Sequence, residues 1–411
     1  MSDHARKTLV CTARDMLHRL DSQRIDLAPE VLSLDADIYV APERFEAEKK
    51  QIFRRLPLMV AASCELAEPN SYKALDIAGV PVLLVRGADR QVRAFLNSCT
   101  HRGSQLAEGC GKRARFTCPY HGWTFTAEGK LLAVASARQY GEVDKDSLGL
   151  VRLPTLESAG LIWVILDPGS TLDIASFLGG VDRLLEGFEL DRWQLYHQRA
   201  LPGANWKLAF DAHMDFYHLP ILHKGTFGPA ISNLAQYYFH GPHQRLGLMS
   251  ANPVEQDGLH SLRDLPEQDW PTDALLFGEW ILFPNVSLNC FIAGERIMVI
   301  SQVIPGETPD NSQTIQTFLT QRPPTEASEA KVREFVDFIE QVVGEEDLPM
   351  SRKQQRALSS GLMPQVQFGR NELGLQRYYH WLEQVMAAPG NRELNWLFSQ
   401  SAPATSILAP A

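Results

Sequence analysis

The sequence has few cysteines, no long apolar run and no excess of basic residues, and each shortage excludes a class of protein. Six cysteines in 411 residues are too few and too scattered for a disulfide framework. The longest apolar runs, such as residues 161–166, fall far short of the about 20 residues that span a bilayer. The 39 Lys and Arg residues are outnumbered by 49 Asp and Glu residues, which disfavours binding to nucleic acid. We therefore expect a soluble, cytoplasmic protein.

The patterning changes along the chain in a way that predicts an α+β fold. Residues 1–50 carry apolar positions at helical spacing and are expected to pack as a helical segment on the domain formed by residues 169–411. Residues 51–168 contain short β-branched runs separated by Gly, Asn and Asp, which is typical of an antiparallel β domain. Residues 169–411 alternate between both patterns, with helices predicted at 177–188, 205–217, 326–343 and 372–386, and strands predicted at 280–288, 296–304 and 313–319.

Two short segments of the β region each carry one cysteine and one histidine. Cys99 and His101 lie in one segment, and Cys118 and His121 lie in the other. Two thiolates and two imidazoles suit a tetrahedral zinc ion, and they equally suit a Rieske [2Fe–2S] cluster, which places two cysteines on one iron and two histidines on the other. Zinc fingers tend to keep like ligands together, whereas each segment here pairs a cysteine with a histidine. The arrangement therefore favours the Rieske cluster.

A second group of metal-binding residue types lies between residues 215 and 223. His218 and His223 would be about 140° apart on an unbroken helix, so Pro220 must distort the helix if both imidazoles are to meet one ion. Two imidazoles and one carboxylate form the facial triad of non-haem iron oxygenases, which leaves positions open for dioxygen. A histidine pair alone is more often structural. The interpretation of this pair as iron ligands is supported because the pair occurs together with the first group.

With both groups present, the chain resembles the Rieske non-haem iron oxygenases, the terminal components of ring-hydroxylating dioxygenases and of related monooxygenases and demethylases. The resemblance spans residues 40–390 and implies a helix-grip, START-like catalytic domain with a curved antiparallel sheet beside the Rieske domain. Beyond the two metal motifs it rests on three segments, Asn205-Trp206-Lys207, Phe283-Pro284-Asn285, and Glu346-Asp347 followed by Gln355-Arg356-Ala357-Leu358.

The resemblance also implies roles for acidic residues. It makes Asp347 the third iron ligand beside His218 and His223, with Glu345 and Glu346 as alternatives, although such acids can equally form a solvated loop between two helices. Asp215 would join His218 to a cluster histidine of a neighbouring subunit, because the cluster of the same chain is too far away. A head-to-tail homotrimer follows. The resemblance leaves open whether a small β subunit joins it.

The function implied by the resemblance is that of a terminal oxygenase. Electrons from NAD(P)H would arrive through a separate flavin reductase, with or without a ferredoxin, since no Gly-x-Gly-x-x-Gly segment is present. Dioxygen would be activated at a mononuclear Fe(II) and would hydroxylate an apolar, aromatic substrate. A monooxygenase or an O- or N-demethylase would use the same metal sites. An alternative of another class is a non-catalytic Rieske electron carrier or hydrophobic-ligand binding protein.

Further residues have two interpretations. Asp211 stands where some ring-hydroxylating members have Asn, and His213 is either a pocket residue or a core histidine. The basic run at residues 111–115 is either a solvated hairpin tip or a patch that steers an acidic ferredoxin or reductase to the cluster. Six apolar residues are candidate walls of the substrate pocket: Leu219, Leu222, Phe227, Phe283, Leu288 and Phe291.

Overall fold

In the computed structural model, which describes residues 1–250 and 259–400, the chain forms two compact units. One unit is Phe53–Thr171, and the other combines Met1–Ile52 with the described part of Leu172–Ala411. The first unit is therefore inserted into the sequence of the second. Every described strand pairing is antiparallel, and helices belong mainly to the discontinuous unit. The predicted α+β class is confirmed.

The inserted unit consists of three small sheets. Its core contains Phe95, Phe116, Phe125 and Trp123, and Cys99 and Cys118 belong to the same buried cluster. The two thiols are thus held at the edge of an apolar core. In sheet order, the strands are Arg152–Leu153, Val92–Leu96, Val80–Arg86, Ser71–Ile77 and Cys110–Lys112, then Thr155–Ser158, Leu161–Val164 and Leu58–Ala62, then Arg115–Thr117, Thr124–Thr126 and Leu131–Ala133.

A seven-stranded sheet is the centre of the discontinuous unit. Its middle strands are almost fully buried, and residues of the helix Glu329–Glu340 pack on one face. A separate two-stranded sheet joins Leu32–Asp35 to Gln365–Phe368. In sheet order, the seven strands are Gln194–Gly203, Ser312–Thr320, Glu295–Pro305, Val286–Ala293, Glu279–Leu282, His243–Ser250 and Ile231–His240.

The helices of this unit range from one turn to five turns. None of those in the described residues combines the length and the apolar character needed to cross a bilayer. A π-helical segment, Gln341–Asp347, joins two regular helices without a break. The α-helices are Asp3–Ser22, Asp37–Val40, Pro42–Glu48, Ile174–Leu178, Val181–Leu185, Trp206–Asp211, Leu219–Leu222, Thr272–Leu275, Glu329–Glu340, Leu348–Leu358, Leu373–Ala387 and Asn391–Ser399.

Three predicted elements are interrupted in the structure. The helix predicted over residues 177–188 breaks at Gly179 and Gly180, which both take the left-handed conformation. The strand predicted over residues 280–288 divides at Pro284, which cannot donate a hydrogen bond to a neighbouring strand. The helix predicted over residues 205–217 ends at Asp211. There the carboxylate of Asp215 accepts the backbone N–H of Tyr217 at 2.7 Å, which competes with helical bonding.

A fourth difference concerns the acidic segment. The helix predicted to end at residue 343 continues as the π-helical segment Gln341–Asp347 and then as the helix Leu348–Leu358. The interpretation of these acids as a solvated loop is therefore wrong. Asp347 is mostly buried, with a side chain 14% exposed.

The N-terminal segment is tied to the helix Trp206–Asp211 by a buried ion pair. Glu48 and Lys207 are both fully buried and form this pair. Glu48 also accepts hydrogen bonds from Trp206 Nε1 at 2.9 Å and from Arg44 Nε at 2.8 Å. Burying one of these charges alone would cost several kcal/mol, on the order of 3–5, so the pair fixes the start of the helix to the N-terminal segment.

Candidate metal centres

Two tight loops hold the predicted cluster residues. In the first loop the backbone N–H of Cys99 donates to Ser104 and that of Gly103 donates to Cys99, each at 2.8 Å. In the second loop the backbone N–H of Cys118 donates to Trp123 at 2.7 Å and that of Gly122 donates to Cys118 at 3.0 Å. Both glycines have a positive φ, 81° and 72°, that other residues rarely adopt. The loops thus have matching backbone geometry.

The loops bring two thiols and two imidazoles together. Cys99 and Cys118 are buried and free, and the rings of His101 and His121 lie 4.8 Å apart between centroids. Burial raises the pKa of both thiols, but at Cys118 the backbone N–H groups of His121 and Tyr120 outweigh it. The pKa of Cys118 is consequently lowered and that of Cys99 is raised, with the two thiols interacting directly. Thiolates are the form that binds metal.

The imidazoles differ in their surroundings. His101 is stacked on Trp123 at 4.9 Å, and its Nδ1 atom is buried without a hydrogen-bond partner in the protein. The ring of His121 contacts Arg102 instead, with 2.6 Å between His121 Nε2 and Arg102 Nη2. A buried nitrogen without a hydrogen-bond partner in the protein is available to bind a metal. The site therefore fits a cluster with two cysteine and two histidine ligands.

A one-turn helix positions the second pair of histidines. His218 immediately precedes the helix Leu219–Leu222 and His223 immediately follows it. Pro220 lies in the first turn, where its missing N–H costs nothing, rather than breaking a longer helix. The chain has already left the preceding helix at Asp211, so the two imidazoles are free to turn towards each other.

The structure brings His218, His223 and Asp347 together. The Nε2 atoms of the two histidines lie 3.2 Å apart, and Asp347 Oδ1 lies 3.5 Å from His218 Nε2 and 3.2 Å from His223 Nε2. The Oδ1 atom is buried and accepts no hydrogen bond within the protein. Two imidazole nitrogens and one carboxylate oxygen that converge in this way fit a single metal ion. Their role as ligands stays a prediction.

A second carboxylate lies behind each histidine. Asp215 Oδ2 is 3.2 Å from His218 Nδ1, and Glu346 Oε2 is 2.5 Å from His223 Nδ1. Glu346 also accepts the hydroxyl of Thr226 at 3.0 Å. Each ring can therefore donate from Nδ1 to a carboxylate and present an unprotonated Nε2 to a metal. Glu346, which was an alternative ligand in the sequence, lies on the far side of His223 instead.

The charges of this cluster shift its pKa values. Burial lowers the pKa of His218, but Asp215 and Asp347 outweigh this effect and raise it to about 9. Burial also lowers the pKa of His223, which is nevertheless raised by Asp347 and Glu346. Burial raises the pKa of Asp347, and the two histidines reverse this and lower it. Without a metal, positive charge is thus favoured at the position that a cation would occupy.

Asp211 occupies a buried position one helical turn before Asp215. Its carboxylate accepts the hydroxyls of Tyr39 and Tyr379, at 2.7 Å and 2.9 Å. Burial raises its pKa to about 7, despite these two hydrogen bonds and the nearby ammonium of Lys207. A carboxyl group with this pKa exists in both protonation states near neutral pH.

The described part of the chain has a cavity of about 350 Å³ beside the metal residues. Asp211, Asp215, His218, Asp347 and Glu372 all line it. Of the six candidate pocket walls only Leu222 is among its lining residues. The other five are not, because they pack against protein: for example, Phe227 stacks on His223 at 4.6 Å, Phe283 contacts Tyr378 at 5.4 Å and Phe291 contacts Phe335 at 5.0 Å.

His213 faces the sheet. Its Nδ1 atom lies 3.4 Å from Glu279 Oε1, and its side chain is 16% exposed. Sequence reasoning missed Glu279, and it also missed Tyr39 and Tyr379 as partners of Asp211. These contacts join residues far apart in the sequence, and no local pattern indicates them. The position of Glu346 directly before Asp347 was visible, but not its contact with His223.

Comparisons with known families agree with the geometry. Residues 57–154 match the Rieske [2Fe-2S] domain family, and residues 190–388 match the family described as ring hydroxylating alpha subunit (catalytic domain). The predicted cofactors, a Rieske [2Fe–2S] cluster and a mononuclear iron, are those of these families and are confirmed at this level. The zinc alternative is therefore wrong.

Individual relatives cover most of the chain. The carnitine monooxygenase oxygenase subunit of Escherichia coli is 29% identical over 371 residues, which cover 87% of this chain and 94% of that protein. A crystal structure of a quaternary ammonium Rieske monooxygenase has a TM-score of 0.74 and 24% identity, and covers 87% of this chain and 96% of its own. The structure of naphthalene 1,2-dioxygenase from Rhodococcus, bound to indole, has a TM-score of 0.72 and 20% identity. The match covers 94% of this chain and 99% of the dioxygenase chain. At these identities the two structures show a common fold alone.

Proposed function

Because this chain belongs to the Rieske non-haem iron oxygenases, of which it is an oxygenase component, we propose that His218, His223 and Asp347 hold its catalytic iron. Cys99, Cys118, His101 and His121 hold the cluster. When bound, these groups supply one-electron transfer and the activation of dioxygen. The convergence of two Nε2 atoms and one carboxylate oxygen within 3.5 Å is the observation that carries the proposal.

Asp215 and Glu346 orient the two histidines for metal binding. Each carboxylate accepts the Nδ1 proton of one ring, which fixes the tautomer and the orientation of the ring. Asp215 additionally provides the bridge to a cluster histidine of a neighbouring subunit in a head-to-tail homotrimer. A carboxylate between two imidazoles offers a short hydrogen-bonded path for the electron.

Electrons reach the cluster from NAD(P)H through a separate reductase, with or without a ferredoxin. Two cations of the basic run at residues 111–115 already contact other residues of this chain. Lys112 is paired with Glu68 on the surface, and the guanidinium of Arg113 lies over the ring of Tyr72 at 5.1 Å. We therefore assign the run no decisive role in docking.

The proposed reaction is the monooxygenation of a small substrate that carries a quaternary ammonium group. One oxygen atom enters a C–H bond of the substrate, and the other is reduced to water by two electrons and two protons. Similarity to carnitine monooxygenase along nearly its whole length supports this substrate class. The aromatic substrate expected from the sequence has less support, since only one of its six candidate walls lines the cavity beside the proposed iron residues.

Two measurements test this function. Iron analysis should give about three irons per chain, against about two for an electron carrier without a catalytic iron. The His218→Ala variant should lose one iron and keep the visible spectrum of the cluster, whereas His101→Ala should lose that spectrum.

Product analysis with a surrogate reductase then decides the reaction. We expect trimethylammonium compounds to gain one oxygen or to lose a carbon fragment through C–N cleavage. Two added oxygens on an aromatic compound would instead identify a ring-hydroxylating dioxygenase. Two irons per chain without turnover of either class would contradict the oxygenase function.

A further inference from the structure

Glu279 is a carboxylate on an interior strand of the seven-stranded sheet. Its strand, Glu279–Leu282, lies between His243–Ser250 and Val286–Ala293. The side chain of Glu279 is 11% exposed, whereas Trp280, Ile281 and Leu282 are completely buried. Some space therefore adjoins this carboxylate and not its neighbours in the strand.

The partners of Glu279 are polar but include no fixed positive charge. Its Oε1 atom accepts the hydroxyl of Ser287 at 2.6 Å and lies 3.4 Å from His213 Nδ1. No Lys or Arg among the described residues forms an ion pair with it. Two other carboxylates with buried side chains do have such a partner: Glu48 pairs with Lys207, and Glu65 pairs with Lys73.

Strand register places Glu279 on the sheet face that the helices cover. Ile281 pairs with Ser287, so Glu279, Ile281 and Ser287 share one face, and Phe291 follows on that face two pairs further along. Phe291 contacts Phe335 of the helix Glu329–Glu340 at 5.0 Å. That helix leads directly into the π-helical segment that ends with Asp347.

The segment that carries the histidines contacts the same carboxylate. His213 lies five residues before His218 in the sequence, and its ring reaches Glu279. Both parts of the chain that supply the metal residues are thus connected to this sheet face, one through His213 and the other through the helix on Phe291. These two connections are the reason to consider Glu279 as a partner of a substrate held beside the proposed iron residues.

We infer that Glu279 is the anionic group that recognises the positively charged end of the substrate, held in place by Ser287 and His213. This inference rests on the proposed function. A quaternary ammonium group has no N–H to donate, so a protein can recognise its charge only with anionic groups and aromatic faces. A carboxylate shielded from water attracts such a charge much more strongly than an exposed one does.

The test compares binding of charged and uncharged molecules of the same shape. Choline, glycine betaine and L-carnitine are each paired with the analogue in which a tert-butyl group replaces trimethylammonium. Dissociation constants are measured by calorimetry on the purified protein, without turnover. We expect the wild-type protein to bind at least one cation about tenfold more tightly than its uncharged analogue.

Three variants assign this preference to one residue. Glu279→Gln keeps the size and the hydrogen bond from Ser287 but removes the charge, and should reduce the preference to about twofold or less. Glu279→Asp, which keeps the charge, should restore part of it. Glu295→Gln is the matched control, because Glu295 lies in the same sheet and also accepts a serine hydroxyl, that of Ser328 at 3.0 Å. It should bind as the wild type does.

Two outcomes of the binding experiment would overturn the inference. One is a Glu279→Gln variant that keeps the wild-type preference, and the other is a wild-type protein that shows none. Failure of the proposed function can be distinguished from failure of this inference, because it would be detected as a missing third iron or as the absence of oxygenated product. A protein with three irons that oxidises an uncharged substrate would keep the oxygenase function and remove the role of Glu279.

Discussion

At the residue scale, the proposed iron site depends on the acidic residue that contacts the outer nitrogen of each histidine. Glu346 and Asp347 are adjacent in the sequence, yet one contacts the outer nitrogen of His223 and the other contacts the inner nitrogens of both histidines. A carboxylate on the outer nitrogen raises the basicity of the inner one and fixes the ring. Neighbouring acids therefore have separate tasks.

The contribution of Glu346 can be measured through iron affinity. Glu346→Ala should weaken iron binding by about 10- to 100-fold, because His223 loses the acceptor that orients it. Glu346→Gln keeps a carbonyl oxygen at this position and should lose less. The exposed neighbour Glu345 provides the control, and Glu345→Ala should bind iron normally. Loss of iron in that control instead would identify Glu345 as a ligand.

The raised pKa of Asp211 predicts a pH dependence of stability. In the unfolded chain this carboxyl group has a pKa near its ordinary value, about 3.9, whereas in the folded protein its pKa is about 7. Between these values the folded state binds the extra proton, so the contribution of Asp211 to stability falls as the pH rises from about 4 to 7.

The Asp211→Asn variant lacks this titration. Its melting temperature relative to that of the wild type should increase between pH 5 and pH 8, as measured by thermal unfolding in buffers of equal ionic strength. Tyr39→Phe, which removes one hydrogen bond but not the carboxyl group, should keep the wild-type slope. A constant difference between Asp211→Asn and wild type across this range would contradict the assignment.

At the scale of elements, the π-helical segment Gln341–Asp347 sets the direction of the two acids. A π-helical turn contains an additional residue relative to an α-helical turn, and such turns occur frequently at functional sites. Removal of one residue would restore α-helical geometry and rotate everything before it by about 100° relative to everything after it. Glu346 and Asp347 could then no longer contact the histidines while the helix Glu329–Glu340 keeps its contact with the sheet.

Deletion of Gly344 tests this dependence. We expect the deletion variant to lose the mononuclear iron and turnover while it keeps the visible spectrum of the cluster. Gly344→Ala is the control of unchanged length, since an added Cβ would have its nearest neighbours at 3.9 Å, an ordinary contact distance. Normal iron content in the deletion variant would show that the π-helical geometry is dispensable.

The elements also show where sequence reasoning succeeds and where it fails. The meeting of the two loops was predicted because their cysteines and histidines lie within short segments with fixed spacing, Cys99–His101 and Cys118–His121. The π-helical segment was not predicted, because the apolar residues before residue 343 have the spacing of an ordinary α-helix. The helix end at Asp211 was also missed, since no Gly or Pro lies between Asn205 and Leu219 to indicate a break.

At the scale of the whole molecule, function requires two metal sites that exchange electrons. Asp215 contacts His218 and lines the cavity beside the metal residues. Pairs such as Asp211 with Tyr379 could not be predicted from the sequence, because 168 residues separate them and only the complete fold brings them together. The bridge between subunits likewise has no local sequence pattern, and it was predicted only through resemblance to a family.

Variants of Asp215 test the bridge. Asp215→Ala and Asp215→Asn should hold both metals once enough Fe(II) is supplied to offset the weaker binding expected when His218 loses its acceptor, since Asp215 binds neither metal itself, yet oxidation of the pre-reduced cluster by dioxygen and substrate should slow by orders of magnitude. A single-turnover experiment that monitors cluster absorbance measures this rate. Glu372→Gln removes another carboxylate from the same cavity and should leave the rate near that of the wild type. Wild-type oxidation in Asp215→Ala would remove the bridge and the reason for a trimer.

The insertion of one unit into the other has a consequence for biosynthesis. Phe53–Thr171 is continuous in sequence, so this unit can fold as soon as it leaves the ribosome, with all four cluster residues present. The surrounding unit must wait, because Glu48 emerges early and its partner Lys207 much later, and Asp347 later still. Cluster insertion can thus precede the existence of the iron site. In cells that are starved of iron during translation, the two metals should be lost to different extents.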